Sequence, residues 1–221
     1  EVDVKPVGTF STYLCMHPSR QVLYVNDSGG GRQIFVFRIN TNGTLALIQQ
    51  QSTGSNYALE IGLTHDATRL YAVGGITHVI LGFHVATDGT LSPLSGSPFP
   101  EFGSSPSNVA VSTDDHYLLV GHGTDATVRS AAIDPNDGHL TYTGNSFTVG
   151  IQGTLGDVQT LDNLFFVTHN STAGGGSMGV WSFTLNPNGA FTVNGPIYDT
   201  QGMAPRSIAV WRPLIHLGDL N

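Results

Sequence analysis

The chain has 221 residues, a formal net charge of −8 and one lysine, Lys5. An acidic surface repels phosphate backbones and anionic lipid headgroups, so this charge disfavours a nucleic-acid partner and a membrane-surface role. No run of about 18 apolar residues occurs, so we predict no membrane-spanning segment. The 28 glycines and the abundant serine, threonine and asparagine suit short strands joined by turns, and the length predicts a single domain over residues 1–221.

The strands predicted in chain order fall into four similar groups. In the first group, apolar runs predict strands over 13–16, 22–25, 34–39 and 45–50. The second group covers 60–63, 70–73, 79–85 and 91–94, and the third covers 108–111, 117–120, 127–133 and 140–143. In the fourth group, a glycine-rich loop at 173–177 separates the runs 164–167 and 180–183. The pattern predicts an all-β chain with four strands in each repeat.

The spacing of these groups identifies the architecture. The second apolar run of each group begins at Leu23, Leu70, Leu118 and Leu164, so successive copies are offset by 47, 48 and 46 residues. Dipeptides that favour tight hairpins, because both residues tolerate positive φ, recur at a similar spacing: Asn42-Gly43, Asp88-Gly89, Asp137-Gly138 and Asn188-Gly189. A four-stranded repeat of this length is typical of a β-propeller built from four-stranded antiparallel blades.

The two ends of the chain have the pattern of incomplete copies of the repeat. Residues 3–7 occupy the place of an outermost strand, and residues 206–211 and 214–217 have the pattern of inner strands. Because each end supplies what the other lacks, we predict a five-bladed propeller whose last blade is shared by both termini. The alternative is an arc, a fragment of a seven-bladed propeller, whose open blade edges another chain covers.

Polar residues on one rim of the propeller are the candidate site. The second residue after the aligned valine of three copies is Asp27, His122 or His169, and Arg206 stands at the start of the last predicted strand. The loop before the first strand and the loop after the second lie on the same rim, so we expect these groups on one face. They suit an anionic or polyhydroxylated ligand, or acid–base chemistry. The alternative is that they are ordinary polar loop residues.

Neither a cofactor nor a metal is predicted. The chain has no phosphate-binding glycine loop, no nucleophile elbow and no paired cysteines. Asp27, His122 and His169 are ligand types that several divalent ions accept, but no close sequence spacing supports a metal there.

Four segments carry a resemblance to a known family: HPSRQVLYVND, DGTLSPLSGSPF, GSSPSNVAVSTDDHYLLVG and GMAPRSIAV. They resemble the lactonase-family propellers, which include 6-phosphogluconolactonase and fungal muconate-lactonising enzymes, and they are similar to secreted bacterial propellers with YVTN-type repeats. Pro205-Arg206 matches the family's Pro-Arg-His motif, with Ser207 in place of the histidine, and Asp27 matches an acid that follows a Tyr-Val-x-Asn run. The resemblance slightly favours an extracellular or periplasmic location over a cytoplasmic one.

Two functions remain open at this point. In the first, which the sequence slightly favours, the propeller binds a small molecule, a glycan or a partner protein at its rim without catalysis. In the second, implied by the resemblance, the protein is a lactone hydrolase. Asp27 would then activate water, while Arg206 with His122 or His169 would stabilise the oxyanion that develops on the carbonyl. We expect a monomer, or self-association through open blade edges.

Overall fold

The computed structural model describes residues 4–19, 21–149, 155–169, 178–200, 205 and 207–210. These residues form eighteen β-strands in four antiparallel sheets, and no helix occurs among them. Within the described part of the chain there is accordingly no helix that is long and apolar enough to cross a membrane. The prediction of an all-β propeller with four-stranded antiparallel blades is confirmed.

Each sheet is one blade, and its strands follow one another from the propeller axis outward. Blade 1 consists of β1 (Leu14–Met16), β2 (Val22–Asn26), β3 (Gln33–Ile39) and β4 (Leu45–Ser52). Blade 2 consists of β5 (Ala58–Leu63), β6 (Arg69–Gly74), β7 (Val79–Val85) and β8 (Leu91–Pro93), and β9 (Phe99–Pro100) continues its outer edge by pairing with β7.

The other two blades repeat this order. Blade 3 consists of β10 (Pro106–Val111), β11 (Tyr117–His122), β12 (Thr127–Ile133) and β13 (Leu140–Thr148). Blade 4 consists of β14 (Leu155–Leu161), β15 (Leu164–His169), β16 (Gly179–Leu185) and β17 (Phe191–Val193), and β18 (Tyr198–Asp199) also pairs with β16.

The core lies between the blades. In β3, Ile34, Phe35, Val36 and Phe37 are all buried, because alternate residues of a strand face opposite sides of the sheet and both sides are covered. Ile34 and Val36 pack with residues of blade 2, whereas Phe35 and Phe37 pack with Val7 on the other side. Similar apolar clusters join blade 2 to blade 3 and blade 3 to blade 4.

At the four Asx-Gly hairpins, only the glycine has a positive φ. In the first of them, Gly43 N donates to Asn40 O at 2.8 Å and Asn40 N donates to Thr44 O at 2.8 Å. Gly43 has a φ of 83°, but Asn42 does not have a positive φ. Asn42 instead accepts a hydrogen bond from Thr44 N through its side-chain oxygen, at 3.1 Å. The left-handed conformation is therefore needed only at the glycine, and the preceding residue supports the turn with its side chain.

These hairpins also tie neighbouring blades together. The Tyr24 hydroxyl of blade 1 donates to Gly89 O of blade 2 at 3.0 Å, and the Tyr71 hydroxyl of blade 2 donates to Gly138 O of blade 3 at 2.8 Å. In blade 3, Ser130 Oγ donates to Gly189 O of blade 4 at 2.7 Å. Each blade thus satisfies the turn carbonyl of the next one, which fixes the positions of successive blades around the axis.

The described residues at the two ends do not form strands. Residues 4–7 and 207–210 have no regular secondary structure. Ile208 N donates to Asp157 Oδ2 at 3.0 Å, so the second segment lies beside β14, where the inner strand of a further blade would lie. Asp3, Arg206 and residues 211–217 are outside the described residues. A fifth blade shared by the termini therefore stays a prediction.

One face of blade 1 is exposed to solvent. Phe10, Leu14 and Met16 are 63%, 61% and 51% exposed, whereas Ile61 of β5 and Val109 of β10, on the corresponding strands of blades 2 and 3, are buried. Among the described residues, blade 1 has no preceding blade to cover this face. The arrangement agrees with the alternative prediction that these blades are part of a larger propeller.

Candidate functional site

A polar residue stands near the start of each innermost strand or segment, and together these residues form a ring around the axis: Tyr13, Glu60, Asn108, Asp157 and Ser207. The pairing of the first strand with the second shifts register at this point in three blades, between Ala58 and Ile61, between Pro106 and Asn108, and between Leu155 and Asp157. A register shift of this kind re-aims a side chain, and it occurs often beside functional sites.

The polar ring opens onto a cavity of about 540 Å³. The wall also includes Leu155 and four residues that directly precede ring positions: Thr12, Leu59, Ser107 and Gly156. A cavity of this volume lies within the usual range for small-molecule sites and is large enough for a sugar-sized ligand.

Glu60 is a buried carboxyl group on this cavity. Its side chain accepts hydrogen bonds from Asn108 Nδ2 at 2.8 Å and from Val109 N at 3.3 Å. The pKa of Glu60 is raised to about 8, mainly by burial and to a smaller extent by repulsion from the Asp157 carboxylate. The two hydrogen bonds offset only part of this rise. The raised pKa favours the protonated form of the Glu60 carboxyl group.

Asp157 is the second buried carboxyl group, and it has a different environment. Its Oδ2 accepts hydrogen bonds from Ser207 Oγ and Ile208 N, both at 3.0 Å. Its Oδ1 accepts a hydrogen bond from Gln159 Nε2 at 3.2 Å. Three donors thus surround Asp157, whereas Glu60 has two. The two carboxyl groups are suited to different roles at one site.

Tyr13 links blade 1 to blade 4 across the axis. Its hydroxyl oxygen accepts a hydrogen bond from Gln159 Nε2 at 3.1 Å. Burial and the nearby Glu60 raise the pKa of Tyr13, so the phenol keeps its proton. This proton is available for donation to a ligand in the cavity.

Asp27, the first residue of the rim set predicted from the sequence, follows β2 and is fully buried. Its Oδ1 accepts a hydrogen bond from Gly29 N at 2.9 Å, and its Oδ2 has no partner among the described residues. A Cβ added to Gly8 or Gly31 would lie 2.3 or 2.0 Å from Oδ2. Glycine backbones therefore enclose this carboxylate closely.

His122 and His169, the two predicted rim histidines, end β11 and β15 and are also buried. His122 Nε2 makes a very short contact with Glu101 Oε1, and Glu101 Oε2 accepts a hydrogen bond from Gly103 N at 2.7 Å. No hydrogen bond or ion pair joins Asp27 to His122, because each is held by groups of its own blade or its own preceding loop. Arg206, the fourth predicted site residue, lies outside the described residues.

The predicted rim set and the axial ring lie at the same end of the blades. His122 pairs with Pro106 and His169 pairs with Leu155, and each of these partners lies two residues before a ring residue. The residues predicted from the sequence that the structure describes thus lie at the same end of the blades as the ring, but not on the innermost strands. A usable signal was present: Glu60, Asn108 and Asp157 are polar residues at the start of apolar strands, separated by 48 and 49 residues.

A second cavity, of about 650 Å³, lies at the opposite end of the strands between blades 3 and 4. Its polar side chains bond mainly to one another. Asp114 accepts hydrogen bonds from Ser112 Oγ at 2.6 Å and from His116 N at 3.1 Å, and the Tyr117 hydroxyl donates to Pro187 O at 2.6 Å. Although this cavity is larger, the buried carboxyl pair makes the axial cavity the better candidate for chemistry.

Within the described ranges, no cluster of three or more His, Cys, Asp or Glu side chains has the geometry to hold a metal ion. The axial cavity has only two such groups in its wall, Glu60 and Asp157.

Comparison with known proteins confirms the resemblance to lactonase-family propellers. Residues 51–155 match the family model described as "Lactonase, 7-bladed beta-propeller". No curated protein sequence matches the chain significantly. The family match covers just under half of the chain, so it shows a similarity of this segment to the lactonase propellers.

Several solved structures have the same fold. The chain is similar to a protein from Lactobacillus plantarum, with 20% identity, a TM-score of 0.73, and coverage of 89% of this chain and 60% of that one. It is similar to the periplasmic gluconolactonase of Pseudomonas aeruginosa, with 16% identity, a TM-score of 0.72, and coverage of 91% and 60%. It is also similar to a proposed 6-phosphogluconolactonase from Bacteroides uniformis, with 18% identity, a TM-score of 0.75, and coverage of 92% and 61%. The chain thus spans about 60% of the length of these structures.

Proposed function

We propose that this protein is a lactone hydrolase whose reaction takes place in the axial cavity. The observation that carries the proposal is the pair of buried carboxyl groups, Glu60 and Asp157, on one sugar-sized cavity. Opening a lactone requires a base to activate water and an acid to protonate the ring oxygen, and two carboxyl groups in unlike environments supply both. The family match and the gluconolactonase neighbour support this class of substrate.

Asp157 is the proposed base. Its carboxylate takes a proton from a water molecule as the water oxygen bonds to the lactone carbonyl carbon, and the carbonyl π electrons move onto the oxygen. Donors from Ser207, Ile208 and Gln159 hold the carboxylate in place, so it needs little reorganisation before it accepts the proton.

Glu60 is the proposed acid. When the tetrahedral intermediate collapses, the C=O bond forms again, the bond from carbon to the ring oxygen breaks, and Glu60 gives its proton to the departing alkoxide. The raised pKa of Glu60, about 8, keeps this proton available at neutral pH. Transfer of the proton held by Asp157 to Glu60, through water in the cavity, then restores the starting state.

Tyr13 is the proposed oxyanion donor. Its hydroxyl accepts from Gln159 Nε2, so the phenol proton is free to point at the carbonyl oxygen. The hydrogen bond from a donor held in this way becomes stronger as negative charge develops on the carbonyl oxygen.

The assignment of the base to Asp27 is a second proposal for the same reaction, with Arg206 and His122 or His169 at the oxyanion. The match of Asp27 to the family motif supports it, as does its unpaired Oδ2. The geometry favours the axial pair, because Asp27 is fully buried and closely enclosed by glycines.

The test is hydrolysis of glucono-δ-lactone, measured by acid release above the spontaneous rate. We expect turnover by the parent protein, and a loss of about two to four powers of ten in kcat for Asp157→Asn. Asp114→Asn, at the opposite end of the strands, is the matched control and should retain the parent kcat. If lactones or glycans bind without turnover, the protein is the non-catalytic binding propeller and this proposal fails.

A further inference from the structure

The wall of the axial cavity contains acidic side chains but, among the described residues, no basic ones. Glu60 and Asp157 are its two ionisable carboxyl groups, and the residues that precede the ring positions are Thr12, Leu59, Ser107 and Gly156. Among the described wall residues there is no lysine, arginine or histidine. Sites that bind phosphate or carboxylate groups tightly use cations or several converging backbone N–H groups.

The polar groups of the wall are instead suited to hydroxyl groups. Ser107 Oγ donates to Asn108 Oδ1 at 2.7 Å, so its lone pairs remain open to a donor from the ligand. Thr12 lines the cavity and is exposed, and its Oγ1 accepts a hydrogen bond from Asn26 Nδ2 at 3.1 Å, donates to Leu59 O at 3.3 Å and contacts Ser28 Oγ at 3.3 Å. Hydroxyls of this kind bond the alcohol groups of a neutral sugar without any charge.

We propose that the axial site selects uncharged lactones and rejects phosphorylated ones, with Thr12 and Ser107 as specificity-determining residues at its mouth. The inference rests on the proposed function and extends it, because it chooses between the two substrate types in the names of the neighbouring structures. A phosphate dianion in the cavity would be repelled by the Asp157 carboxylate, and the described wall residues include no cation to offset this repulsion. Repulsion between like charges is strong in a partly desolvated site. The overall charge of −8 adds to it.

The experiment compares glucono-δ-lactone with its 6-phosphate. We expect kcat/KM for the neutral lactone to exceed that for the phosphorylated one by about tenfold or more. Added salt should narrow the ratio, because ions screen the repulsion but do not affect a neutral substrate. Equal values, or a preference for the phosphorylated lactone, would overturn the inference.

Two substitutions at Thr12 and one at Arg206 sharpen the test. Thr12→Lys places a cation at the mouth and should raise the ratio of phosphorylated to neutral kcat/KM by several-fold, whereas Thr12→Gln, of similar length and uncharged, should not. Arg206→Ala tests whether Arg206, which precedes Ser207 in the chain, contributes to the binding of the phosphorylated lactone. If the parent protein accepts the phosphorylated lactone and this variant does not, a cation serves the site and the inference is wrong.

A binding measurement tests the charge preference of the site independently of whether the protein is a catalyst. The lactam analogue of glucono-δ-lactone is neutral and resists hydrolysis, so calorimetry with the lactam and its 6-phosphate measures charge preference in the absence of turnover. Tighter binding of the neutral lactam supports the inference even if no lactone is hydrolysed, in which case only the proposed function fails. Tighter binding of the phosphorylated lactam overturns the inference whatever the turnover.

Discussion

The axial ring and the rim residues lie one strand apart at the same end of the propeller, yet they differ in what surrounds their carboxylates. Asp157 borders a cavity of about 540 Å³ and is held by donors from three residues. Asp27 is fully buried, and glycine backbones approach its Oδ2 so closely that an added Cβ would lie 2.0–2.3 Å away. Chemistry on a ligand requires both an ionisable group and space beside it, and of these two regions the axial ring is the one that combines them.

The difference follows from the propeller geometry. Innermost strands surround an axis where opposite blades cannot approach fully, so their side chains border open space. Residues that follow the second strand lie between that strand and the loop that leads into the blade, and the loop covers them. His122, which is buried against Glu101, and Asp27 occupy the same kind of position.

The strongest test of this comparison applies the same substitution in both regions. Asp157→Asn should reduce kcat for lactone hydrolysis by about two to four powers of ten, because the base is lost. Asp27→Asn keeps the acceptor for Gly29 N, so its kcat should stay within about threefold of the parent, a small change on the scale of a lost base. A large loss for Asp27→Asn with normal turnover for Asp157→Asn would move the reaction to the rim.

The pH dependence of Glu60 is the second test. In the parent protein, kcat/KM should decrease as the pH rises through about 8, because Glu60 loses the proton that it donates. Glu60→Gln cannot donate a proton, so kcat should decrease by about 10²-fold and the change near pH 8 should disappear. A pH profile that is identical in the parent and in this variant would remove Glu60 from the mechanism.

The free energy of unfolding should depend on pH through the same Glu60 carboxyl group. The pKa of Glu60 is raised from 4.5 to about 8 on folding, so between these values the native state holds a proton that the unfolded state lacks. Its contribution to the free energy of unfolding is therefore complete below pH 4.5 and decreases as the pH rises to about 8. Glu60→Gln should consequently become more stable relative to the parent between pH 5 and pH 9, by roughly a few kcal/mol, in urea denaturation.

The smallest expected effect concerns the packing around Asp27. Gly31→Ala would place a Cβ 2.0 Å from Asp27 Oδ2, so we expect a loss of about 1–3 kcal/mol in unfolding free energy through overpacking. Gly30→Ala is the matched control, because its Cβ would meet nothing within 4 Å, and its effect should stay within about 0.5 kcal/mol. Equal denaturation midpoints for the two variants would show that the surroundings of Asp27 are loose enough to admit a ligand.

Much of the fold could be predicted from the sequence because it depends on local patterns. The strand predicted over 79–85 is the observed β7, and the one predicted over 127–133 is the observed β12. The positions of the four Asx-Gly hairpins were also predicted correctly. The conformation within the turn depends on its hydrogen bonds: Asn42 tolerates a positive φ but does not adopt one, and its side chain instead accepts from Thr44 N.

The site was harder to predict, because a linear pattern does not record which polar residues border open space. The rim residues were chosen by their distance from an aligned valine, and His122 and His169 lie at the same end of the blades as the axial ring. The register shifts that turn Asn108 and Asp157 toward the axis occur in strand pairing and have no separate mark in the sequence.

By itself, the sequence determined the class of fold. A repeat of 46–48 residues with apolar runs and glycine turns can bury its apolar faces only by stacking four-stranded blades, and this requirement is local to each repeat and its neighbour. Only the tertiary structure decided which carboxyl groups share a cavity. Glu60 and Asp157 are 97 residues apart in the chain, and their mutual repulsion, their burial and their shared cavity arise only when blades 2 and 4 meet at the axis.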